Sequence, residues 1–409
     1  MPNPNPSEVG DIAEVAQLIV RDQVFEDWES VWVQLRWRAE YNYFRFTAAE
    51  YSPIASYWTK SQFKPGDPCQ IILGGQQAIQ GIILRRQTAY DANSHMVELS
   101  GVSREWAANT SSVPTTINNF DNMPLDAIAQ KLMSFYGVGY QPIGTIDPTP
   151  FDHMQAQPGE KVFDFLDKLA RHRGAVLGAD SSGNFLLVGQ HANPIVQQLI
   201  EGQNIKKMQC VFEMNEIGSI YSGTGQKPAT DGDAMASAAN MQAQAAGSLP
   251  GMLKFIETVL EQPVKSMAEL EMRVTYEALA REGTLIDATA TVQGWLRDGV
   301  SLWKPGDNVY VYSPMAMLDL PLSIQSVTFS QDNERGTQTE IECVLPWALM
   351  DTTYSTDSNN PQPPGGANTT SSVPPAPPPT QSTDPNAPNY VPPPGAFEPG
   401  GVLGPGPYP

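Results

Sequence analysis

The five-residue stretch Phe63-Lys64-Pro65-Gly66-Asp67 recurs 240 residues later as Trp303-Lys304-Pro305-Gly306-Asp307. In both copies an aromatic residue precedes Lys-Pro-Gly-Asp, and a short run typical of a β-strand follows, at residues 70–73 and 310–312. Pro and Gly favour a tight turn, and Asp can bond its own backbone, so the motif is suited to begin a strand. One such turn is common in β proteins. Two copies within strand-rich sequence predict two related β-domains in one chain.

Strands are predicted on both sides of the first copy, over residues 15–107. Apolar Val31, Val33, Leu35 and Trp37 alternate with Trp32, Gln34, Arg36 and Arg38. This period of two is typical of a half-buried antiparallel strand. Further strands are expected at residues 71–73, 80–84 and 96–99, with a turn at Gly74-Gly75. The pattern favours a β-barrel or a sandwich.

The sequence changes character over residues 120–200. Helical spacing predicts one helix from Leu125, after Pro124, to a stop at Gly137, and a second over about residues 160–173. Residues 175–188 then predict a β-hairpin whose turn lies at 180–184. Together these elements indicate a small α+β domain.

The remaining elements are predicted more coarsely. Residues 225–251 are rich in Ala, Met, Gln and Gly and indicate a mobile loop or a loose helix, whereas residues 266–282 indicate a polar helix. Strands follow at 284–292, 308–312, 322–329 and 339–345. Residues 351–409 contain no Lys or Arg and dense Pro, which predicts an extended polyproline-like tail. That tail is either an inert solubilising segment or a strap that docks on a neighbouring protein.

The predicted fold class is α+β, mainly β, with two similar β-barrel domains flanking a small α+β middle domain and a disordered Pro-rich C-terminal tail. The predicted domains are an N-terminal extension (1–14), a first β-barrel domain (15–115), the middle domain (116–205), a linking strand, flexible loop and helix (206–283), the strands of the second β-barrel domain (284–350) and the Pro-rich extended tail (351–409).

Composition restricts the possible partners. The chain has 409 residues, with 44 acidic against 24 basic side chains and a formal net charge of −20. Such a charge argues against a grip on nucleic-acid phosphates and against an anionic membrane surface. The N-terminus lacks the features of a signal peptide, and no run of 18 apolar residues exists. We therefore expect a soluble protein made in a reducing cytoplasm.

No catalytic, cofactor-binding or metal-ligating residue is predicted. His95, His153, His172 and His191 have no zinc-binding spacing, and the GxSxG, Walker and GxGxxG motifs are missing. The cysteines stand at 69, 210 and 343 with no close pair, so we expect neither disulfides nor a metal knuckle, only core-filling thiols. His172 is expected at the surface, at the polar end of its helix.

Two further features favour structural interpretations. Residues 180–184 and 230–233 superficially resemble calcium loops but lack the full alternation of oxygens closed by a Glu, so a hairpin turn and a flexible loop are expected. Trp28, Trp32 and Trp37 are expected on strands, in core or interface packing rather than in a sugar-binding platform.

Several stretches in order resemble a known family, the baseplate hub proteins of contractile-tailed phages, in particular the Mu-like hub and the phage late-control D family. The matching stretches are residues 25–33 around Trp28, Lys64-Pro65-Gly66-Asp67, Gly101-Val102-Ser103-Arg104, residues 158–174 from Pro158-Gly159-Glu160 to Arg173-Gly174, Val292-Gln293-Gly294-Trp295 and residues 302–306. The resemblance covers roughly residues 12–350.

The resemblance implies a structural protein and no enzyme. It implies a homotrimer in which two barrels per subunit form a pseudo-hexameric ring, joining the tail tube to the central spike and lining the DNA conduit. The expected partners are a tail tube or tube-initiator protein, the central spike protein, baseplate wedge proteins and passing DNA that is not bound specifically. No cofactor and no membrane insertion are expected. The expected location is the tail baseplate of the virion, after assembly in the host cytoplasm.

Three alternatives remain open from the sequence. The chain could be a tail-associated peptidoglycan hydrolase, a peptidoglycan-binding protein, or the hub of a tailocin or type VI-like injection particle. A hydrolase would require a catalytic constellation, and a wall-binding protein would depend on exposed Trp residues. A particle hub would use the same joining geometry as a phage hub.

Overall fold

The computed structural model describes residues 14–49, 63–91, 95–225, 241–249, 251, 253–260, 264 and 266–351. The predicted Pro-rich tail lies outside these residues, apart from Asp351, and so do residues 226–240.

The described chain is mainly β. Its strands are β1 (Ala16–Val20), β2 (Gln23–Phe25), β3 (Ser30–Arg36), β4 (Tyr43–Ala49), β5 (Pro68–Leu73), β6 (Gln76–Tyr90), β7 (His95–Ser103), β8 (Asn119–Met123), β9 (Tyr140–Ile143), β10 (Phe151–Gln155), β11 (Val176–Ala179), β12 (Phe185–Val188), β13 (Ile195–Ile200), β14 (Lys207–Phe212), β15 (Ile220–Gly225), β16 (Met241–Ala246), β17 (Phe255–Val259), β18 (Ile286–Gln293), β19 (Asn308–Ser313), β20 (Leu318–Asp332) and β21 (Gly336–Val344). The helices are α1 (Trp106–Asn109), α2 (Leu125–Phe135), α3 (Val162–His172) and α4 (Met267–Glu282), with short 3₁₀ turns at Gly283–Leu285 and Pro346–Leu349.

One sheet of thirteen strands contains both predicted β-domains. Its main path is β14-β18-β21-β20-β3-β4-β7-β6-β5-β1-β2, and β19 and β13 branch from β20. The α+β, mainly β class is confirmed. The two closed barrels are not confirmed, because the described strands form an open path in which β3 and β20 join the two halves.

The predicted alternation in β3 is confirmed. Val31, Val33 and Leu35 point into the core, and the residues between them lie on the other face. Of the three tryptophans expected on strands, only Trp32 lies on one. Trp28 lies in the turn before β3 and packs on Phe46, whereas Trp37 follows the end of β3 and is buried.

The middle domain is built as predicted around two helices and a hairpin. α2 and α3 bury their apolar faces together, and Phe120 stacks on Phe165 with ring centroids 5.5 Å apart. The sheet order beneath them is β11-β12-β9. At the hairpin turn, Asp180 Oδ1 accepts bonds from the amides of Ser182 and Asn184, each 2.8 Å long. That side chain therefore holds the turn, as the hairpin interpretation of residues 180–184 requires.

The segment expected to be a loop or loose helix contains a strand. Residues 241–246 form β16, which pairs with β15 in a three-stranded sheet completed by β17. α4 packs on this sheet through Leu270, Val274 and Ala278. Ala and Gln are weak strand formers, so the strand depends on these tertiary contacts more than on its own composition. The polar helix predicted over 266–282 is confirmed as α4, with the Ser266 hydroxyl accepting the Glu269 amide at its N-terminus.

His172 is buried rather than exposed, which corrects the sequence-based expectation. It lies at the end of α3, 3% exposed, and burial lowers its pKa to about 4. The neighbouring Arg173 lies over the Phe151 ring, 4.0 Å from the centroid, and forms an ion pair with Glu269 of α4. The end of α3 is therefore covered by α4, a packing partner about 95 residues away in sequence that helical periodicity does not reveal.

The cysteines agree with their predicted structural role in two cases of three. Cys69 and Cys343 lie in the main core, and Cys210 is half-buried on β14. None of the helices in the described ranges has the length and hydropathy of a transmembrane segment.

A buried carboxyl lies where the first β-domain meets the middle domain. Glu105 is fully buried and accepts a hydrogen bond from the Ser103 hydroxyl, which in turn accepts the Asn42 amide at 2.7 Å. Burial raises the pKa of Glu105 to about 7, and the nearby charge of Asp180 acts in the same direction. The folded protein therefore favours the neutral carboxyl.

This burial predicts a pH dependence of stability. Because the folded-state pKa lies above the unfolded value, the stabilisation is complete below about pH 4.5 and is lost as the pH rises through about 7. Between pH 5 and pH 8 the free energy of unfolding of the wild type should fall by about 2–3 kcal/mol more than that of Glu105→Gln, because the Gln side chain does not titrate. Urea unfolding across that range measures it, with the exposed Glu340→Gln as control. An unchanged slope in Glu105→Gln would contradict the assignment.

Candidate interface: two repeated sheet edges

The first Lys-Pro-Gly-Asp turn is closed by three backbone hydrogen bonds. The Asp67 amide donates to Lys64 O (3.0 Å), the Gly66 amide donates to Ile83 O (2.8 Å), and the Ile83 amide donates to Asp67 O (3.0 Å). The Asp67 carboxylate also accepts the Lys64 amide at 2.8 Å. The turn thus begins β5 and is bonded to the middle of β6.

The second turn repeats this bonding. The Asp307 amide donates to Lys304 O (3.3 Å), the Gly306 amide donates to Ile324 O (2.8 Å), and the Ile324 amide donates to Asp307 O (2.9 Å). Ile324 of β20 therefore takes the place of Ile83 of β6. The predicted structural role of the motif is confirmed at both positions.

The correspondence extends over six strands in each half. β5, β6 and β7 contain 6, 15 and 9 residues, and β19, β20 and β21 contain the same numbers. Both long strands carry a bulge directly after the turn-bonded residue, between Ile83 and Arg85 and between Ile324 and Ser326. The order β3-β4-β7-β6-β5-β1 is thus matched by β14-β18-β21-β20-β19-β13. One difference is that β1 pairs antiparallel with β5, whereas β13 pairs parallel with β19.

The two halves meet where β3 pairs with the second part of β20. Seven antiparallel pairs run from Ser30↔Asp332 to Arg36↔Ser326. Beyond them the Trp37 amide donates to Gln325 O at 2.9 Å. We call this contact the internal junction.

Trp37 closes the internal junction by packing against Gly306. A Cβ atom at Gly306 would lie 2.5 Å from Trp37 Cζ3, so the ring requires glycine there. Gly306 and Gly66 both have positive φ, 88° and 94°. No heavy atom of the described residues lies within 4 Å of a Cβ built at Gly66. The two turns therefore share a backbone but differ in what covers them.

The two aspartates of the turns also differ in environment. Hydrogen bonds from the Lys64 amide and Arg21 lower the pKa of Asp67 against the opposing effect of desolvation. Burial raises the pKa of Asp307 despite its ion pair with Arg297. The two aspartate side chains are both largely covered, whereas Gly306 is buried and Gly66 is exposed.

Two sheet edges have no strand partner among the described residues. From residue 84 onward β6 pairs only with β7, and β14 pairs only with β18. Large apolar side chains are exposed on these edges: Tyr90 is 77% exposed, Val211 41% and Phe212 45%. The repeated turn is visible in the sequence, whereas these edges are not, because pairing between distant strands leaves no local pattern in β6 or β14.

The predicted absence of chemical site residues stays a prediction. His153, His172 and His191 lie on different parts of the middle domain, on β10, at the end of α3 and after β12. Within the described ranges, no group of three or more His, Cys, Asp or Glu residues could hold a metal ion.

Two protein-family models match the chain in succession. Residues 15–103 match the N-terminal domain of the Mu phage baseplate assembly protein GpP-like family, and residues 110–189 match the second domain of the baseplate hub protein gp44-like family. No curated protein matches the chain.

Solved structures share the fold over most of the chain. The 43 kDa tail protein of prophage MuSo2 from Shewanella oneidensis is 23% identical, with a TM-score of 0.69, covering 82% of this chain and 99% of its own. A tail protein from Neisseria meningitidis MC58 is 18% identical, with a TM-score of 0.70, covering 82% and 98%. The E. coli c3393 protein, a component of the type VI secretion system, is 11% identical, with a TM-score of 0.50, covering 80% and 76%.

The predicted resemblance to the baseplate hub proteins of Mu-like phages is confirmed over residues 15–103 and 110–189, where the chain is similar to two families of phage baseplate proteins. Its fold is similar to those of prophage tail proteins and of a type VI secretion component.

The different surroundings of the two turn glycines predict different sensitivities to alanine. Gly66→Ala should cost about 1 kcal/mol of unfolding free energy, because only the positive φ is penalised. Gly306→Ala adds a clash with Trp37 and should cost about 3 kcal/mol. Urea unfolding of both variants measures this, and Gly66→Ala is the matched control. Equal losses would contradict the proposed packing role of Gly306.

Proposed function

We propose that the chain is the hub of a contractile-tail baseplate, a homotrimer whose duplicated β-units form a pseudo-hexameric ring joining the tail tube to the central spike. The observation that carries this proposal is the duplication itself: two six-strand units with equivalent turns and bulges, joined edge to edge by β3 and β20. Three such chains supply six equivalent units, so one ring can meet sixfold symmetry on one side and threefold symmetry on the other.

The internal junction is a contact of the kind from which a ring can be built. It is head-to-tail, because a β3-type edge of one unit meets a β20-type edge of the next. Repeated head-to-tail contacts generate a closed ring when the rotation between neighbours divides a full turn. In a ring of six units, each chain of two units contains one junction internally and forms one junction with the next chain.

The outer face of the joined sheet is proposed to line the DNA conduit. It carries Arg36 and Arg45 beside Glu98, Glu340 and Glu342, so both signs of charge are present. With a net charge of −20 on the whole chain, this wall would let DNA pass without specific binding.

Further parts of the proposal concern the rest of the chain and its location. Residues 15–115 and 284–350 would form the ring units, the second completed by β13 and β14 from the predicted middle and linking segments, and 1–14 and 351–409 would be the terminal extensions. The Pro-rich tail would dock along the spike or wedge proteins. Assembly would take place in the host cytoplasm, with a tube or tube-initiator protein, the spike and the wedges as partners. The fold similarity to a type VI secretion component keeps a tailocin or secretion particle as the second candidate, and neighbouring capsid and terminase genes would separate a phage from either.

The trimer predicts a definite mass and shape. Light scattering of the purified protein, alone and mixed with its spike protein, should give a hub mass three times 44.5 kDa. Electron-microscopy class averages should give a ring with a central channel. A truncation at Asp351, measured alongside, reports whether the tail holds the subunits together. A chain that stays monomeric in both preparations would overturn the proposal.

The conduit predicts an effect of wall charge on ejection. Glu98→Lys together with Glu340→Lys should slow genome ejection several-fold, because added cations on the wall attract phosphates. In the matched control, Asp121 and Asp152 of the middle domain are both replaced with Lys. Ejection rates measured with fluorescent DNA-binding dye decide it, and equal rates in wild type and the wall variant would count against a DNA-lining face.

A further inference from the structure

We infer that β6 and β14 are the two halves of one intersubunit contact, in which residues 85–89 of one copy pair antiparallel with residues 209–213 of the next. This inference rests on the proposed trimer and specifies the strand edges and the register that close it. Its basis is that the internal junction uses the equivalent strands, β20 and β3, within a single chain.

The register follows from residues that hold equivalent positions in the two halves. Ile83 and Ile324 are equivalent, since each exchanges backbone hydrogen bonds with a Lys-Pro-Gly-Asp turn. Gly101 of β7 lies opposite Ile83, and Cys343 of β21 lies opposite Ile324. Gly101 and Cys343 are therefore equivalent as well.

Counting outward from these positions aligns β14 with β3. Gly101 lies opposite Phe44 of β4, and Phe44 lies opposite Val33 of β3. Cys343 lies opposite Ala288 of β18, and Ala288 lies opposite Cys210 of β14. Val33 and Cys210 therefore occupy the same place in their units.

The internal junction then sets the pairing between copies. Within the chain, Val33 lies opposite Phe329, five residues after Ile324. The residue five positions after Ile83 is Thr88. Thr88 of one copy is consequently expected opposite Cys210 of its neighbour.

This register brings opposite charges together at one end of the pairing. Arg85 falls opposite Glu213, and both residues are exposed in the single chain. Opposite charges placed directly across two strands favour their pairing, so the charge pattern independently supports the register derived from the backbone.

The same register covers apolar side chains that the single chain exposes. Val211, Phe212 and Met214 are 41%, 45% and 42% exposed. Phe212 corresponds to Leu35 and Met214 to Trp37, which the internal junction leaves only 7% and 6% exposed. Phe212 and Met214 are thus exposed apolar residues at positions whose equivalents are buried at the internal junction.

The open surface beside Gly66 completes the correspondence. At the internal junction Trp37 lies against Gly306. The equivalent of Trp37 is Met214, just after β14, and the equivalent of Gly306 is Gly66, whose Cβ position has no heavy atom within 4 Å in the part of the chain that the structure describes. Between copies, the Met214 side chain would therefore pack against Gly66, as Trp37 packs against Gly306.

A single cysteine tests the register, because its partner is native. In Thr88→Cys, the new thiol should lie opposite Cys210 of the adjacent copy, with Cβ atoms about 4.5–5.5 Å apart, near the reach of a disulfide. Copper-catalysed oxidation of the trimer, alone or bound to its spike protein, should yield covalent dimers and trimers on non-reducing gels. Thr88→Cys/Cys210→Ser should yield none. Ala89→Cys, one residue out of register and on the opposite face, is the matched control.

Light scattering and disulfide formation separate the two proposals. A trimer that forms no Thr88→Cys disulfide, or that crosslinks equally through Ala89→Cys, overturns the β6–β14 register and leaves the hub function standing. Failure to trimerise in either preparation overturns both.

Charge exchange provides a second measurement that a folding defect would not mimic. Arg85→Glu and Glu213→Arg should each raise the dissociation constant of the trimer by about fivefold or more. The double exchange should return it to near the wild-type value, because opposite charges again face each other. Additive weakening in the double variant would overturn the pairing of these two residues.

Discussion

The antiparallel pairing of β3 with β20 is the contact on which the remaining architecture depends. Each six-strand unit ends in a strand whose backbone N–H and C=O groups face outward, and such groups require partners. In this chain the second unit supplies them for the first, along seven residue pairs. Backbone pairing is specific in direction and register, and a slip of one residue would turn Val33 and Phe329 out of the core. The relative placement of the two units is therefore set by main-chain geometry.

The duplication explains why the two turns have diverged while keeping the same bonding. The turn at Gly306 faces a partner within its own chain and is covered by Trp37, so its glycine is buried and has no room for a side chain. The turn at Gly66 has the same backbone with open surroundings. The bulge after each turn bends the long strand, so that its first part pairs within the unit and its second part is directed to the next unit. Identical local geometry thus serves an internal contact in the second unit and, in the proposed trimer, an outward contact in the first.

The middle domain is fastened to both halves by polar contacts. The hairpin turn accepts the Gln80 amide of β6 at Ser181 O, 3.0 Å away, and Arg104 donates to Gly137 O at 2.8 Å. At its other end, Arg173 reaches Glu269 of α4. The Arg173–Glu269 pair is buried, and removing one partner of such a pair is strongly destabilising, because it leaves an uncompensated buried charge. A fixed geometry is what a protein needs if it acts by joining larger assemblies rather than by chemistry on a small ligand.

The sequence by itself determined the local elements: the alternation of β3, the helices α2, α3 and α4, the hairpin at 180–184 and the repeated turn at 63–67 and 303–307. These follow from side-chain periodicity and turn chemistry, which act between near neighbours. Only the tertiary structure decided that β3 pairs with β20, almost 300 residues away, and that the sheet stays open in the described chain instead of closing into two barrels. It also decided that residues 241–246 form a strand and that His172 is buried, because both depend on packing against α4 or its neighbours. Contacts between distant segments leave no periodic trace in either partner, and for that reason the duplicated turn could be found from sequence whereas the edges that it serves could not.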